Sequence, residues 1–172
     1  MKEQQGQVTF QGDPLTLVGE LPQTGQPAPK ATLIDNDLNE AKLSDYIGKI
    51  VILSVVPSLD TSVCAAQTRR FNEEAAALKN VVVLGISMDL PFAQKRWCGA
   101  EGIENVHTLS DHRDEEFGLA YGLLIKELRL LARAVLVLNS EGIIRYVQLV
   151  REITDEPDYD PVLQAVREVS GT

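Results

Sequence analysis

Ile50-Val51-Ile52-Leu53-Ser54-Val55-Val56, closed by Pro57, is short, β-branched and apolar at nearly every position. Such a run fits a central strand covered on both faces, because a half-exposed strand would alternate apolar with polar residues. Val81-Val82-Val83-Leu84-Gly85-Ile86-Ser87 is a second run of the same kind. Between them, Ser62 to Leu78 carries Cys64, Phe71, Ala75 and Leu78 near one face at helical spacing, with the alanine-rich Glu73 to Ala77 inside it. Strand, helix and strand make a βαβ unit, whose two strands run parallel.

Outward from this unit the remaining elements fall into place. Val8 to Gln11 and Leu15 to Val18 flank Gly12-Asp13-Pro14 and predict an N-terminal hairpin. Leu21 to Lys30, with three prolines and a glycine, is a connector, and Ala31 to Ile34 a short strand. Asp89 is placed to cap a second helix that has Pro91 in its first turn, is stopped by Gly99, and carries Trp97 and Cys98 at its end. Val106 to Leu109 reads as a strand and Asp114 to Tyr121 as a short helix. The charged runs Asp111 to Glu116 and Asp155 to Asp160 read as solvated segments. Ala134 to Leu138, the turn Asn139-Ser140-Glu141-Gly142 and Ile143 to Val150 form an antiparallel hairpin, and a last helix spans Asp160 to Val169 with Pro161 in its first turn. The expectation is one α/β domain over residues 1–172: a mixed sheet with helices on both faces, in the thioredoxin-like arrangement, plus an N-terminal β-hairpin.

The 172 residues include 16 basic and 25 acidic side chains, a net charge of −9. Nucleic acid and anionic membrane are poor partners for such a chain, since both need a basic footprint. No apolar run approaches the roughly 18 residues of a membrane span, and Met1 to Gln7 is polar, so a cytoplasmic protein is expected. The two cysteines, Cys64 and Cys98, stand 34 positions apart, which suits neither a zinc cluster nor a dense disulfide framework. His107 and His112 lack any matching carboxylate or cysteine pattern, so no metal is expected.

Cys64 falls in the first turn of its helix, where unpaired N–H groups and the positive end of the helix dipole favour a thiolate. The competing reading is a small core residue on the Phe71 stripe. Pro57 can fix the preceding chain and exclude water. Thr61, three residues before Cys64, can turn its hydroxyl toward the sulfur or cap the helix. Arg133 directly precedes the strand at 134–138, and an antiparallel strand begins at the sheet edge where strand 50–56 ends, so topology brings Arg133 near Cys64; the competing reading, commoner for any single arginine, is an exposed side chain flanking an apolar strand. Arg69 and Arg70 point partly away and rank as support. Cys98 sits at the opposite, negative kind of helix end, where a thiol is favoured and the last turn frays. It is either a second redox thiol or a packed side chain beside Trp97.

Pro57-Ser58-Leu59-Asp60-Thr61-Ser62-Val63-Cys64 resembles the peroxiredoxin active-site pattern P-x-x-x-T-x-x-C. The stretches Thr68 to Asn72, Trp97 to Asn105, Leu109-Ser110-Asp111, Leu131 to Ala134, Val8 to Gly12 and Ala28-Pro29 are similar to the bacterial thiol peroxidase branch, so the resemblance spans nearly the whole chain. It implies that Cys64 is the peroxidatic cysteine, that Thr61 and Arg133 complete a hydroperoxide site shielded by Pro57, and that Cys98 resolves within the same chain. It further implies reduction by thioredoxin, a homodimer, and chemistry without a cofactor. Two packing positions depart from the pattern: Ala31 where many relatives carry phenylalanine, and Val56 where an aromatic is common.

The mechanism expected is attack by Cys64 on H2O2 or an alkyl hydroperoxide, a sulfenic acid, and then a Cys64–Cys98 disulfide. Cysteines on two separate helices are expected to start farther apart than a disulfide allows, so both helix ends must unwind locally. A redox sensor could use the same two cysteines. A general disulfide oxidoreductase would carry C-x-x-C, and an interaction module would tolerate serine at both positions.

Overall fold

The computed structural model describes residues 1–171. In chain order the elements are β1 (Glu3–Phe10), β2 (Asp13–Val18), β3 (Thr32–Ile34), β4 (Glu40–Lys42), a 3-10 turn at Leu43–Tyr46, β5 (Ile50–Val55), α1 (Ser62–Ala76) and β6 (Val81–Ser87). They continue with α2 (Pro91–Glu101), β7 (Val106–Ser110), α3 (Glu116–Ala120), β8 (Leu124–Ile125), β9 (Leu130–Leu131), β10 (Ala134–Leu138), β11 (Ile144–Leu149) and α4 (Tyr159–Ser170). The main sheet has the order β11-β10-β5-β6-β7-β3-β4, with β5-β6 and β6-β7 parallel and the other pairs antiparallel. This is the expected α/β architecture, with the βαβ unit at its centre.

Side chains of β5 sort by parity. Ile50 and Ile52 pack with Phe71 of α1 and Val162 and Val166 of α4, while Val51, Leu53 and Val55 pack on the opposite face with Leu15, Leu17, Phe117 and Leu124. Both faces are therefore dry, and each fully buried branched side chain contributes roughly 1.5–3 kcal/mol. The N-terminal hairpin closes through Gln11 and Gly12, both at positive φ (51° and 86°), as a two-residue hairpin turn requires. Its partner was not legible in the sequence: β2 pairs with β8, and β8 with β9, in a second sheet ordered β1-β2-β8-β9. Two-residue strands leave no alternation to read.

Three local expectations are corrected. Gly99 does not stop α2. The helix runs to Glu101 and ends at Gly102 in the left-handed region (φ 67°), where Ile103 N–H returns to the Cys98 carbonyl at 2.9 Å. Asp89 does not cap α2, whose N-cap is Leu90 without a side-chain bond; its carboxylate is used elsewhere, as described below. The segment from Asp111 is not wholly solvated, and α3 begins at Glu116 rather than Asp114. Asp111 is buried and accepts from Phe117 N–H at 2.9 Å and Gly118 N–H at 2.8 Å.

Burial outweighs those two donors and raises the Asp111 carboxyl from 3.8 to about 6. The native state thus holds this proton more tightly than the unfolded chain. Its contribution is full below pH about 4 and is lost as pH rises through about 6, up to about 3 kcal/mol. Urea melts at pH 4.5 and 7.5 should show this loss in the wild type, and the loss should be absent from Asp111→Asn.

Candidate active site

Pro57 ends β5 and is buried, and the loop from Ser58 leads into α1 at its N-cap, Thr61. Cys64 is wholly buried among Val56, Leu59 and Trp97. The Thr61 hydroxyl accepts from Cys64 N–H at 3.2 Å and donates to the Ser58 carbonyl at 3.3 Å. Of the two roles open to Thr61, the structure shows the cap; no bond from its hydroxyl to the sulfur is formed. One of the four orphan N–H groups of α1 is satisfied this way, and the sulfur's backbone is fixed.

Arg133 is the largest wholly enclosed side chain, 1% exposed. It precedes β10, which pairs antiparallel with β5, and it shares the parity of Val135 and Val137, which face α1 and α4. Its Nη2 donates to Cys64 Sγ at 3.1 Å and to the Ile153 carbonyl at 2.8 Å. Nε donates to the same carbonyl at 3.1 Å, and Nη1 to Gln67 Oε1 at 2.9 Å. Gln67 in turn donates to the Ser54 hydroxyl at 2.9 Å. No carboxylate pairs with Arg133 among the described residues. Burying an unpaired cation is costly, so the site is built to be completed by negative charge.

Cys98 is half-buried, and its sulfur lies 3.7 Å from the Thr108 hydroxyl. That hydroxyl also donates to Asn36 Oδ1 at 2.9 Å. Burial pushes the Cys98 thiol up, only partly offset by the Thr108 contact. Both cysteines are free, and they belong to different packing groups bridged by Trp97. Arg69 is exposed and pairs with Glu101 at 3.4 Å, while Arg70 pairs with Glu74 at 3.0 Å and lies 4.7 Å from the centroid of the Tyr159 ring. Neither arginine has a bond to the sulfur.

Sequence reasoning missed the polar frame around these groups. Gln67 lies one helical turn past Cys64, and Ser54 is the one polar residue in the apolar run of β5, a signal that could have marked it. Asp89 accepts from the Ser58 hydroxyl and Leu59 N–H, both at 2.8 Å, and from the Ser87 hydroxyl at 2.9 Å. It thereby ties the loop before Cys64 to the end of β6. Asp89→Ala is expected to cost about 2 kcal/mol or more and to speed amide exchange at Leu59 while sparing β10, a pattern readable by exchange mass spectrometry. Asn72 Oδ1 accepts from Glu104 N–H and Asn105 N–H, bracing the segment after α2 against α1.

A cavity of about 350 Å³ lies at the opposite end of β5, lined by Val51, Leu43, Tyr46 and Leu138 among others. Ala31 lines that cavity, whereas Val56 packs on Cys64. Of the two departures from the peroxiredoxin pattern, only Val56 shapes the site.

The Redoxin family matches residues 23–163. The thiol peroxidase of Listeria innocua serovar 6a is 56% identical over 161 residues, covering 94% of this chain and 98% of that protein. The thiol peroxidase of Bacillus subtilis is 55% identical over 161 residues, covering 94% and 96%. A crystal structure of a peroxiredoxin-like protein from Aquifex aeolicus superposes with a TM-score of 0.89 at 43% identity, over 96% of this chain and 98% of that one. A buried cysteine at a helix start, an enclosed arginine on its sulfur and relatives more than half identical along almost their full length converge: the chain belongs to the thiol peroxidase branch of the redoxin family and is a peroxidase.

Proposed function

We propose that this peroxidase reduces H2O2 and alkyl hydroperoxides through Cys64, with Cys98 as the resolving thiol of the same chain and thioredoxin as the reductant. The observation that carries the reading is the enclosed Arg133 guanidinium, without a carboxylate partner, 3.1 Å from the Cys64 sulfur. A thiolate there supplies the missing negative charge. Four of the five guanidinium N–H groups are engaged, which leaves one on Nη1 for a substrate oxygen.

The thiolate attacks the terminal peroxide oxygen in line with the O–O bond. That bond breaks, and the displaced oxygen carries both electrons and takes a proton to leave as water or an alcohol. Arg133 stabilises the charge on the displaced oxygen, and Thr61 holds the helix start in register. Cys64, now a sulfenic acid, is attacked by the Cys98 sulfur, which forms the disulfide and releases water. The thioredoxin dithiol then reduces it by two exchange steps, becoming a disulfide itself. No metal or organic cofactor enters this scheme.

The separate packing of the two sulfurs supports the expectation that the disulfide forms only after α1 unwinds near its start and α2 near its end. Exposed Leu90 and Phe92 at the head of α2 are available to a partner copy or to the reductant. The protein is read as a single domain acting as a homodimer in the cytoplasm; light scattering across a concentration series tests the dimer. No helix among the described residues is long and apolar enough to cross a membrane.

The deciding experiment follows peroxide-dependent NADPH oxidation with thioredoxin and thioredoxin reductase, titrating H2O2 against an organic hydroperoxide. Turnover that requires both thioredoxin and peroxide supports the reading. Disulfide formation without turnover would overturn it in favour of a redox sensor.

A further inference from the structure

The N-terminal hairpin, we propose, is a positioning device for the site: a clasp between Thr9 and Glu152 holds the Ile153 carbonyl on Arg133, and thereby the guanidinium on the Cys64 sulfur. The inference rests on the roles read above for Cys64 and Arg133. The Ile153 carbonyl takes two N–H groups from Arg133, from Nε at 3.1 Å and Nη2 at 2.8 Å, so its position sets the plane of the guanidinium. Residue 153 lies in the irregular segment between β11 and α4 and has no strand or helix of its own to fix it.

The hairpin supplies the fixing. Thr9 N–H donates to the Arg151 carbonyl at 2.7 Å, and Ile153 N–H donates to the Thr9 carbonyl at 3.0 Å, a one-residue parallel bridge across Glu152. The Glu152 carboxylate locks this bridge. Its Oε1 accepts from the Thr9 hydroxyl and Gly12 N–H, both at 2.9 Å. Its Oε2 accepts from Thr154 N–H at 3.0 Å and the Thr154 hydroxyl at 2.7 Å. The Thr154 hydroxyl, followed by the backbone donors, holds this carboxyl down at about 2, so the clasp is ionised throughout the neutral range. Arg151 adds a bond from Nη1 to the Gly6 carbonyl at 3.1 Å, at the bulge where the β1 register slips.

A hairpin needed only for burial would be served by its apolar residues Val8, Leu15 and Leu17, which join the main core. The polar bonding of Thr9 and Gly12 to the segment at 151–154 is additional to that burial, and the carbonyl it fixes is the one that aims Arg133. Thr9 and Glu152 therefore act through Arg133 as positioning residues.

The test reads the pH dependence of Cys64 alkylation by iodoacetamide and the single-turnover rate with H2O2, in a Cys98→Ser background where Cys64 is the one thiol. Glu152→Ala and Thr9→Val should move the alkylation midpoint to higher pH and slow the peroxide step roughly threefold to tenfold. Thr9→Ser, which keeps the hydroxyl, should restore both. Leu17→Ala serves as the stability control: it lowers Tm and leaves the midpoint in place. The clasp is overturned if Glu152→Ala lowers Tm with the midpoint unmoved while Arg133→Gln moves it; the roles of Cys64 and Arg133 then stand. Should Arg133→Gln itself leave midpoint and rate unchanged, those roles fail, and the clasp with them.

Discussion

Replacing Cys64 by serine is expected to abolish peroxide turnover, on the order of 10⁴-fold or more, while the chain still folds. The two effects separate because serine nearly matches cysteine in volume and keeps an atom that Arg133 Nη2 can reach. The hydroxyl, however, does not ionise near neutral pH and is a poor nucleophile toward an O–O bond. Cys98→Ser should behave differently: each chain consumes one equivalent of peroxide and then stalls, with Cys64 trapped as a sulfenic acid by a dione probe. Stopped-flow peroxide consumption combined with intact-mass measurement distinguishes the two variants. Multiple turnovers by Cys64→Ser would remove Cys64 from its assigned role.

How much of this was legible beforehand follows from the physics of each residue. β5 and β6 were readable because strands dry on both faces must be apolar throughout, and the parallel pair followed from the helix between them. Arg133 was readable as a neighbour of Cys64 from topology alone, since an antiparallel β10 begins where β5 ends. Its partners were not: Gln67 and Ser54 look like ordinary polar residues in a helix and a strand, and the Ile153 carbonyl is backbone, on which side-chain identity is silent. Asp89 was misread because an aspartate before a proline-started helix has the signature of a cap, while the fold brings Ser58 and Leu59 to it from 31 and 30 residues away. Asp111 was misread because a charged run normally stays in water, and only the α3 backbone donors permit its burial. The turn glycine was misplaced for a similar reason. Gly99 is tolerated inside α2 because the Schellman closure at Gly102 lies three residues on.

Arg133 offers the sharper test of the chemistry, because its removal should affect rate far more than folding. Arg133→Gln is expected to lower the second-order rate with H2O2 by roughly 10²–10³, the usual consequence of losing a fixed donor aimed at developing charge. Lysine should not rescue it. An ammonium is a point charge on a flexible stem, and cannot at once serve the sulfur, Gln67 Oε1 and the Ile153 carbonyl as the guanidinium fork does. Stability should respond weakly, because two terms oppose one another. Removing an enclosed cation with no carboxylate partner relieves its desolvation, while Gln67 and Ile153 lose the donors they face. Arg133→Met, which keeps the volume, is therefore expected to lie within about 2 kcal/mol of wild type in urea melts yet to share the full loss in rate. An Arg133→Gln enzyme within threefold of wild type would show that the sulfur's reactivity arises from the α1 terminus alone. A rate loss matched by an equal collapse in stability would show instead that Arg133 is chiefly a strut between α1 and the segment at Ile153.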